Sequence, residues 1–202
     1  MIQKEKGSCG DIAVATYQAN AITNEEMGVH GFYQVVCRDA QGNIKWEEEF
    51  PNLVVAVGKQ LMLDTLLKGV TYSVTGPYLG LISGSTNTFA ATDTMTSHPG
   101  WTEFINYTVG GSAVRGTAVF GSSTSTGTSP SNITTSLASS ITFTITGAGG
   151  VVGGCFLVLG SGATNAQSST AGTLYSAGEF STPKTTTSGD TVSVTYATTA
   201  TS

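Results

Sequence analysis

Between Gly116 and Gly178 the chain runs for 63 residues without a charged side chain or a histidine. Acid–base, metal and phosphate chemistry draw on Asp, Glu, His, Lys, Arg and Cys, so this stretch is a poor place for an active site. It consists of Ser, Thr, Gly and Ala around short β-branched and aromatic bursts. Such a composition suits a rigid β-rich body in which the backbone makes most of the hydrogen bonds. Charged residues are 10% of the chain, against about 25% in ordinary soluble domains. Chains that stay disordered are poor in β-branched and aromatic residues, whereas here those residues recur in strand-sized blocks.

The remaining composition excludes several classes of function. A net charge of −5 over 202 residues, with no Lys/Arg cluster, argues against a nucleic-acid surface. Cys9, Cys37 and Cys155 are far apart and odd in number, so they read as buried free thiols. Two histidines are too few and too scattered for a zinc site, and no cofactor is implied. No stretch reaches the roughly 18 apolar residues of a membrane span. The segment Met1–Lys6 lacks the apolar core of a signal peptide, so folding in a cytoplasm is expected.

Most of the charge lies early, with nine acids and six bases in residues 1–68. Residues 1–30 show no packing period and read as an extended N-terminal arm; residues 31–202 read as the body. Phe32–Cys37 and Ile44–Phe50 flank a turn at Asp39–Asn43 and form a hairpin, with Gly42 supplying positive φ. In the return strand Ile44, Trp46, Glu48 and Phe50 share one face, and Lys45, Glu47 and Glu49 the other. Successive strand residues alternate faces, so Glu47, Glu48 and Glu49 cannot converge on one substrate; they read as a charged, guarded edge. Val57–Lys68 is the one good helix candidate, with Val57, Leu61, Met62 and either Thr65 or Leu66 near one face. Gly69 follows at the usual stop position.

Beyond Gly69 the pattern is all-β. Strands are expected over Tyr78–Ile82, Phe104–Val109, Val114–Phe120, Ile141–Thr146, Cys155–Leu159, Thr173–Phe180 and Thr191–Tyr196. Ile141, Phe143 and Ile145 alternate with threonines, as Val192, Val194 and Tyr196 do with Thr191, Ser193 and Thr195, so each strand has one core face and one wet face. Cys155–Leu159 is apolar on both faces, as in a central strand covered on each side. The expected fold is an antiparallel β-sandwich or jelly-roll-like body with one short helix. Trp46, Leu61, Phe104, Phe120, Phe143, Phe156 and Val194 are the expected core. Two longer loops, Ser83–Gly100 and Gly121–Ser136, interrupt the pattern; the second is expected to be flexible or ordered by a neighbouring subunit.

Asp93, His98 and Glu103 lie close in sequence and invite a hydrolase reading. A triad needs a nucleophile at an elbow, a base in reach and an orienting acid, and no Gly-x-Ser-x-Gly elbow with such partners occurs. His98, before Pro99-Gly100, reads as a turn-fixing residue. Gly147–Gly150 and Gly153-Gly154 lack the Lys-Ser/Thr and helix of a phosphate loop. Asn106-Tyr107-Thr108 and Asn132-Ile133-Thr134 match glycosylation sequons only incidentally. Trp101 beside Glu103 is the one pairing of a kind that carbohydrate sites use; Trp101 reads as core. The chain is expected to be no enzyme, with no catalytic, metal or cofactor residues.

Three blocks carry a resemblance. Phe50-Pro51-Asn52-Leu53-Val54-Val55-Ala56-Val57-Gly58-Lys59-Gln60-Leu61-Met62-Leu63-Asp64 is the first, and Ala91–Glu103, ending His98-Pro99-Gly100-Trp101-Thr102-Glu103, the second. The third is Gly172-Thr173-Leu174-Tyr175-Ser176-Ala177-Gly178-Glu179-Phe180 followed by Ser188–Val192. Together they resemble virion structural proteins of tailed bacteriophages over roughly residues 32–198. The resemblance implies a capsid decoration, or cement, protein on the virion exterior, made in the host bacterial cytoplasm. Its implied partners are the major capsid protein and further copies of itself in a homo-oligomer, with no nucleic acid and no membrane. The alternative is a tail or fibre component that contacts other tail proteins and binds a host-surface carbohydrate. An arm at residues 1–30 would then lie over a neighbour, so that its deletion leaves the body folded but weakens attachment.

Overall fold

A computed structural model describes residues 28–68, 75–84, 86–125 and 133–201. Among them the strands are β1 (Gly28–Arg38), β2 (Ile44–Pro51), β3 (Leu53–Val54), β4 (Tyr78–Ser83), β5 (Thr102–Phe104), β6 (Tyr107–Thr108) and β7 (Gly116–Thr117). They continue as β8 (Thr124–Ser125), β9 (Ile133–Ser136), β10 (Ile141–Ile145), β11 (Gly150–Leu159), β12 (Thr173–Thr186) and β13 (Thr191–Thr201). The helix is α1 (Ala56–Leu67). All strand pairings are antiparallel and build two sheets. The seven-stranded sheet has the order β2-β1-β13-β10-β6, with β9 also on β13 and β8 on β9. The six-stranded sheet runs β3-β12-β11-β4-β5, with β7 also on β4. The chain is therefore the all-β sandwich that its alternating strands predict.

The main core fills the space between the sheets. Tyr33, Val35 and Cys37 of β1, Phe143 and Ile145 of β10, and Val192, Val194 and Tyr196 of β13 face Leu79, Leu81, Val152, Cys155, Leu157 and Phe180. Tyr33 lies 4.6 Å from Tyr196 between ring centroids, and its hydroxyl bonds Ser176 Oγ across the sandwich at 3.1 Å. Burial pushes the Cys37 thiol up to about 11 and raises that of Cys155 further, so both stay protonated in the core. A second cluster lies on the other face of the six-stranded sheet. There Phe156 and Val158 of β11, with Ile82 and Leu174, are covered by Met95, Trp101 and Ala163 from loops. β11 is thus apolar on both faces because both faces are covered.

Several elements differ from expectation. The strand expected at Phe32 starts at Gly28, because Gly28–Gly31 pair with Thr198–Thr201 in the long tail of β13. The segment Val114–Phe120 keeps only Gly116–Thr117 as strand, since Val114 and Phe120 make isolated bridges to Ala166 and Leu137. The loop expected at Gly121–Ser136 forms its own strand pair. Thr124 and Ser125 pair with Thr134 and Ile133, and Ile133–Ser136 pair in turn with Ala197–Ala200, so among the described residues of this segment this chain's own β13 supplies the pairing. Cys9, Gly69, Asn132 and arm residues 1–27 lie outside the described residues.

Phe104, Phe143, Phe156 and Val194 are buried, whereas Trp46, Leu61 and Phe120 are only half-buried. Trp46 is on the edge strand β2 and meets Phe180 edge-on. Phe120, outside any strand, meets Tyr196 edge-on. Leu61 loses the central position to Gly58, the one buried residue of α1. A Cβ at Gly58 would come within 2.6 Å of the Tyr175 carbonyl oxygen, so the helix backbone lies directly on β12. No side chain caps the start of α1; the Val55 and Ala56 amides donate instead to Tyr175 and Ala91 carbonyls at 3.1 and 2.8 Å.

The sparse charges join elements. Lys45 of β2 reaches Asp190, in the β12–β13 turn, at 2.6 Å. Glu48, facing inward with Phe50, pairs with Lys184 at 2.8 Å and accepts from the Ser181 amide, joining the edge strand β2 to β12 of the other sheet. Glu47 and Glu49 face solvent. Burial raises the Asp190 pKa, but hydrogen bonds from Lys45 and the Thr187 amide outweigh it and hold the carboxyl below the usual aspartate value.

Two outcomes follow from this construction. Phe143→Ala should cost about 3–5 kcal/mol in chemical denaturation, because Phe143 is wholly inside the main core. A carboxyl whose pKa is depressed on folding stabilises the fold above its unfolded pKa, and the contribution is lost as pH falls through the folded value. Lys45→Met removes the cation and keeps the burial, so the acid-unfolding midpoint, followed by tryptophan fluorescence, should move to higher pH.

Candidate functional site

The segment that sequence reasoning singles out, Asp93 to Glu103, folds over the outer cluster of the six-stranded sheet. Short backbone closures shape it: Thr88 N–H donates to Gly100 O at 3.0 Å, and Thr94 and Ser97 bridge each other. Asp93 is buried and accepts from Trp101 Nε1 and from the Ala90 amide, both at 3.2 Å. His98 Nδ1 lies 2.9 Å from the Trp101 carbonyl oxygen; a carbonyl only accepts, so the proton sits on Nδ1. The His98 ring stacks on Trp101 at 3.8 Å between centroids, and Trp101 packs on Phe156 at 5.2 Å. His98 therefore fixes the turn and covers the buried indole, as its place before Pro99-Gly100 predicts.

Glu103, on β5, has a different partner set. Arg115 Nε and Nη2 donate to its two oxygens at 2.9 and 2.8 Å, a bidentate pair with both side chains buried. The same carboxylate accepts from the Ser168 amide at 2.7 Å and the Tyr107 hydroxyl at 3.4 Å. Arg115 Nη2 also donates to Ser169 O at 2.7 Å, and the Arg115 amide to Asn165 O at the same distance. The pair thus clamps the loop between β11 and β12 onto β5. Ser168 adopts φ 60°, a left-handed conformation that costs a non-glycine residue energy, and its amide bond to Glu103 holds it there. The guanidinium carbon lies 5.1 Å from the Phe156 ring centroid, a cation–π contact, and Nη1 is buried without a hydrogen-bond partner among the described residues. Burial, with Glu103 beside it, raises the Tyr107 pKa and keeps its hydroxyl a donor.

These loops border a cleft of about 230 Å³ that includes His98, Trp101, Glu103, Arg115 and Ser168. The structure brings His98, Trp101 and Glu103 to one cleft, but does not bring Asp93 and His98 into a relay. Asp93 is occupied by Trp101 Nε1, and the His98 nitrogen that an acid would orient is occupied by a carbonyl. Both carboxylates act as acceptors that hold structure. Arg115 and Ser168 are the participants that sequence reasoning missed. The one signal for Arg115 is its isolation, as the sole charge between Glu103 and Glu179; Ser168 carries no signal, since its role depends on a backbone angle. Among the described residues no group of His, Cys, Asp and Glu is placed to hold a metal ion, and no helix is long and apolar enough to cross a membrane. No family model, curated protein or solved structure matches the chain.

The clamp predicts strong coupling. Arg115→Met strands a buried carboxylate and should cost about 3–5 kcal/mol, whereas Arg115→Met with Glu103→Leu should recover a large part of that loss. Urea denaturation of the single and double variants reads the coupling directly.

Proposed function

We propose that this chain is a non-enzymatic virion protein of a tailed bacteriophage that decorates the capsid and stabilises its lattice by bridging major capsid subunits. Three sequence blocks in order carry the resemblance. The observation that best supports a bridging role is the outer face of the seven-stranded sheet. Along it lie Thr142 and Thr144 of β10, Ser193 and Thr195 of β13, and Gln34 of β1, all on the side away from the core. Cross-strand bonds order this face: Thr142 with Ser193 at 3.0 Å, Thr134 with Thr199 at 2.7 Å, and Gln34 Nε2 to Glu49 at 2.8 Å. Its centre is uncharged, and charge collects along the edge strand at Lys45, Glu47 and Glu49. Protein interfaces have that distribution, with charge depleted from the centre and retained at the rim. A broad hydroxyl-bearing face can exchange many modest hydrogen bonds with a neighbour, as a protein acting by area over many copies requires.

The reading has a direct test. Gel densitometry of purified particles should give hundreds of copies per virion, and particles lacking the protein should assemble but release their genome at lower temperature. Ser193→Lys, which places charge at the centre of the face without touching the core, should weaken attachment while leaving the thermal unfolding of the free protein unchanged. If depleted particles keep full physical stability but fail to adsorb to cells, the protein is instead a tail or fibre component.

A further inference from the structure

Helix α1 is apolar on more sides than the sandwich covers. Leu63, Leu66 and Leu67 are 46%, 75% and 80% exposed. Of the three, Leu66 also walls a groove of about 290 Å³, together with Leu61, Met62, Leu159 and Tyr175. An apolar groove open at the surface of a folded protein marks a covered surface.

The place where β1 begins indicates the occupant. The Tyr175 hydroxyl at the groove wall contacts both Met62 Sδ, at 3.7 Å, and Thr198 Oγ1, at 3.4 Å. Thr198 Oγ1 in turn donates to His30 O at 3.1 Å. Val29 packs against the same core cluster as Met62. The first residues of β1 therefore lie near the groove wall. The sequence preceding them, from Ile12 to Asn24, contains no charged residue and includes Ile12, Val14, Tyr17 and Ile22. The six residues from Ile22 to Gly28 span up to about 20 Å when extended, comparable with the roughly 18 Å length of a 12-residue helix.

We propose that the groove along α1 is the docking site of this chain's own segment Ile12–Ile22, which covers Leu66 and the groove walls at Leu61 and Met62 instead of lying over a neighbouring copy. The match is apolar to apolar, and the tether keeps the segment at high effective concentration at the groove. This inference rests on the fold and is independent of any capsid.

The test is photo-crosslinking in the purified full-length chain with Leu66→benzoylphenylalanine, followed by mass mapping of tryptic peptides. The expected product has the mass of one chain, with the crosslink localised within Ile12–Ile22. Introducing Ile12→Asp together with Val14→Asp should abolish most of that product and increase binding of an apolar dye. A crosslink joining two chains would overturn the proposal in favour of a second copy. A crosslink confined to residues 69–115, or no crosslink from a folded variant, would overturn it as well. Thr65→benzoylphenylalanine, at the same groove, gives the same readout should the first variant fail to fold. Because no particle is involved, failure here leaves the decoration reading standing, and the reverse holds too.

Discussion

Strand β11 must be covered on both faces, and the rest of the molecule is arranged around that requirement. Cys155 and Leu157 point to the space between the sheets, and Phe156 and Val158 to the opposite side. One sheet can bury only one of these faces. The seven-stranded sheet covers the first. The second is closed mainly by loops, with Leu53 of β3 and Val57 of α1 packed at its margin, and loops carry backbone polar groups that need partners. Gly80 on the neighbouring strand β4 makes room for Phe156, since a side chain there would overlap its ring. Trp101 then covers Phe156, and His98 covers Trp101.

A layer of loops has little propensity to hold itself in place, and the scarce charges supply the fixings. Glu103 and Arg115 bind the loop after β11 through the Ser168 amide and the Ser169 carbonyl. Glu48 and Lys184 join the two sheets, and Lys45 with Asp190 fastens the edge strand to the last turn. A buried ion pair contributes little beyond a well-packed apolar substitute, yet breaking one is costly. Such pairs therefore specify which loop lies where. The carboxylates occupied in this way are the ones that a search for acid–base chemistry would first select.

The surface left over is divided into two kinds. The outer face of the seven-stranded sheet is polar, uncharged at its centre and internally hydrogen-bonded, which suits broad contact with a partner that brings its own polar groups. The groove along α1 is walled mainly by apolar side chains, which suits a tethered apolar segment. The proposed lattice role and the proposed docking of Ile12–Ile22 therefore concern different surfaces and different physics.

Much of this was legible in the chain. Alternation of Ile141, Phe143 and Ile145 with threonines determined the facing of β10, because side chains on a strand repeat every two residues. The doubly apolar run at Cys155–Leu159 determined that some strand would be covered on both sides. The His98-Pro99-Gly100 turn was legible too, since it depends on neighbours within a few residues, whereas the burial of Trp101 expected from the sequence is completed by Phe156 of β11. What the tertiary structure alone decided involves long-range partners. Ile133–Ser136 has no strand signature of its own and becomes a strand because β13 extends beside it. Gly58 displaces Leu61 from the helix contact because only a bare Cα fits against the Tyr175 carbonyl. Arg115 finds Glu103 and the loop at Ser168–Ser169, and neither pairing has a local pattern to announce it. Periodicity records which way a side chain points along its own element; which element lies opposite is settled by packing and by the pairing of buried polar groups across the fold.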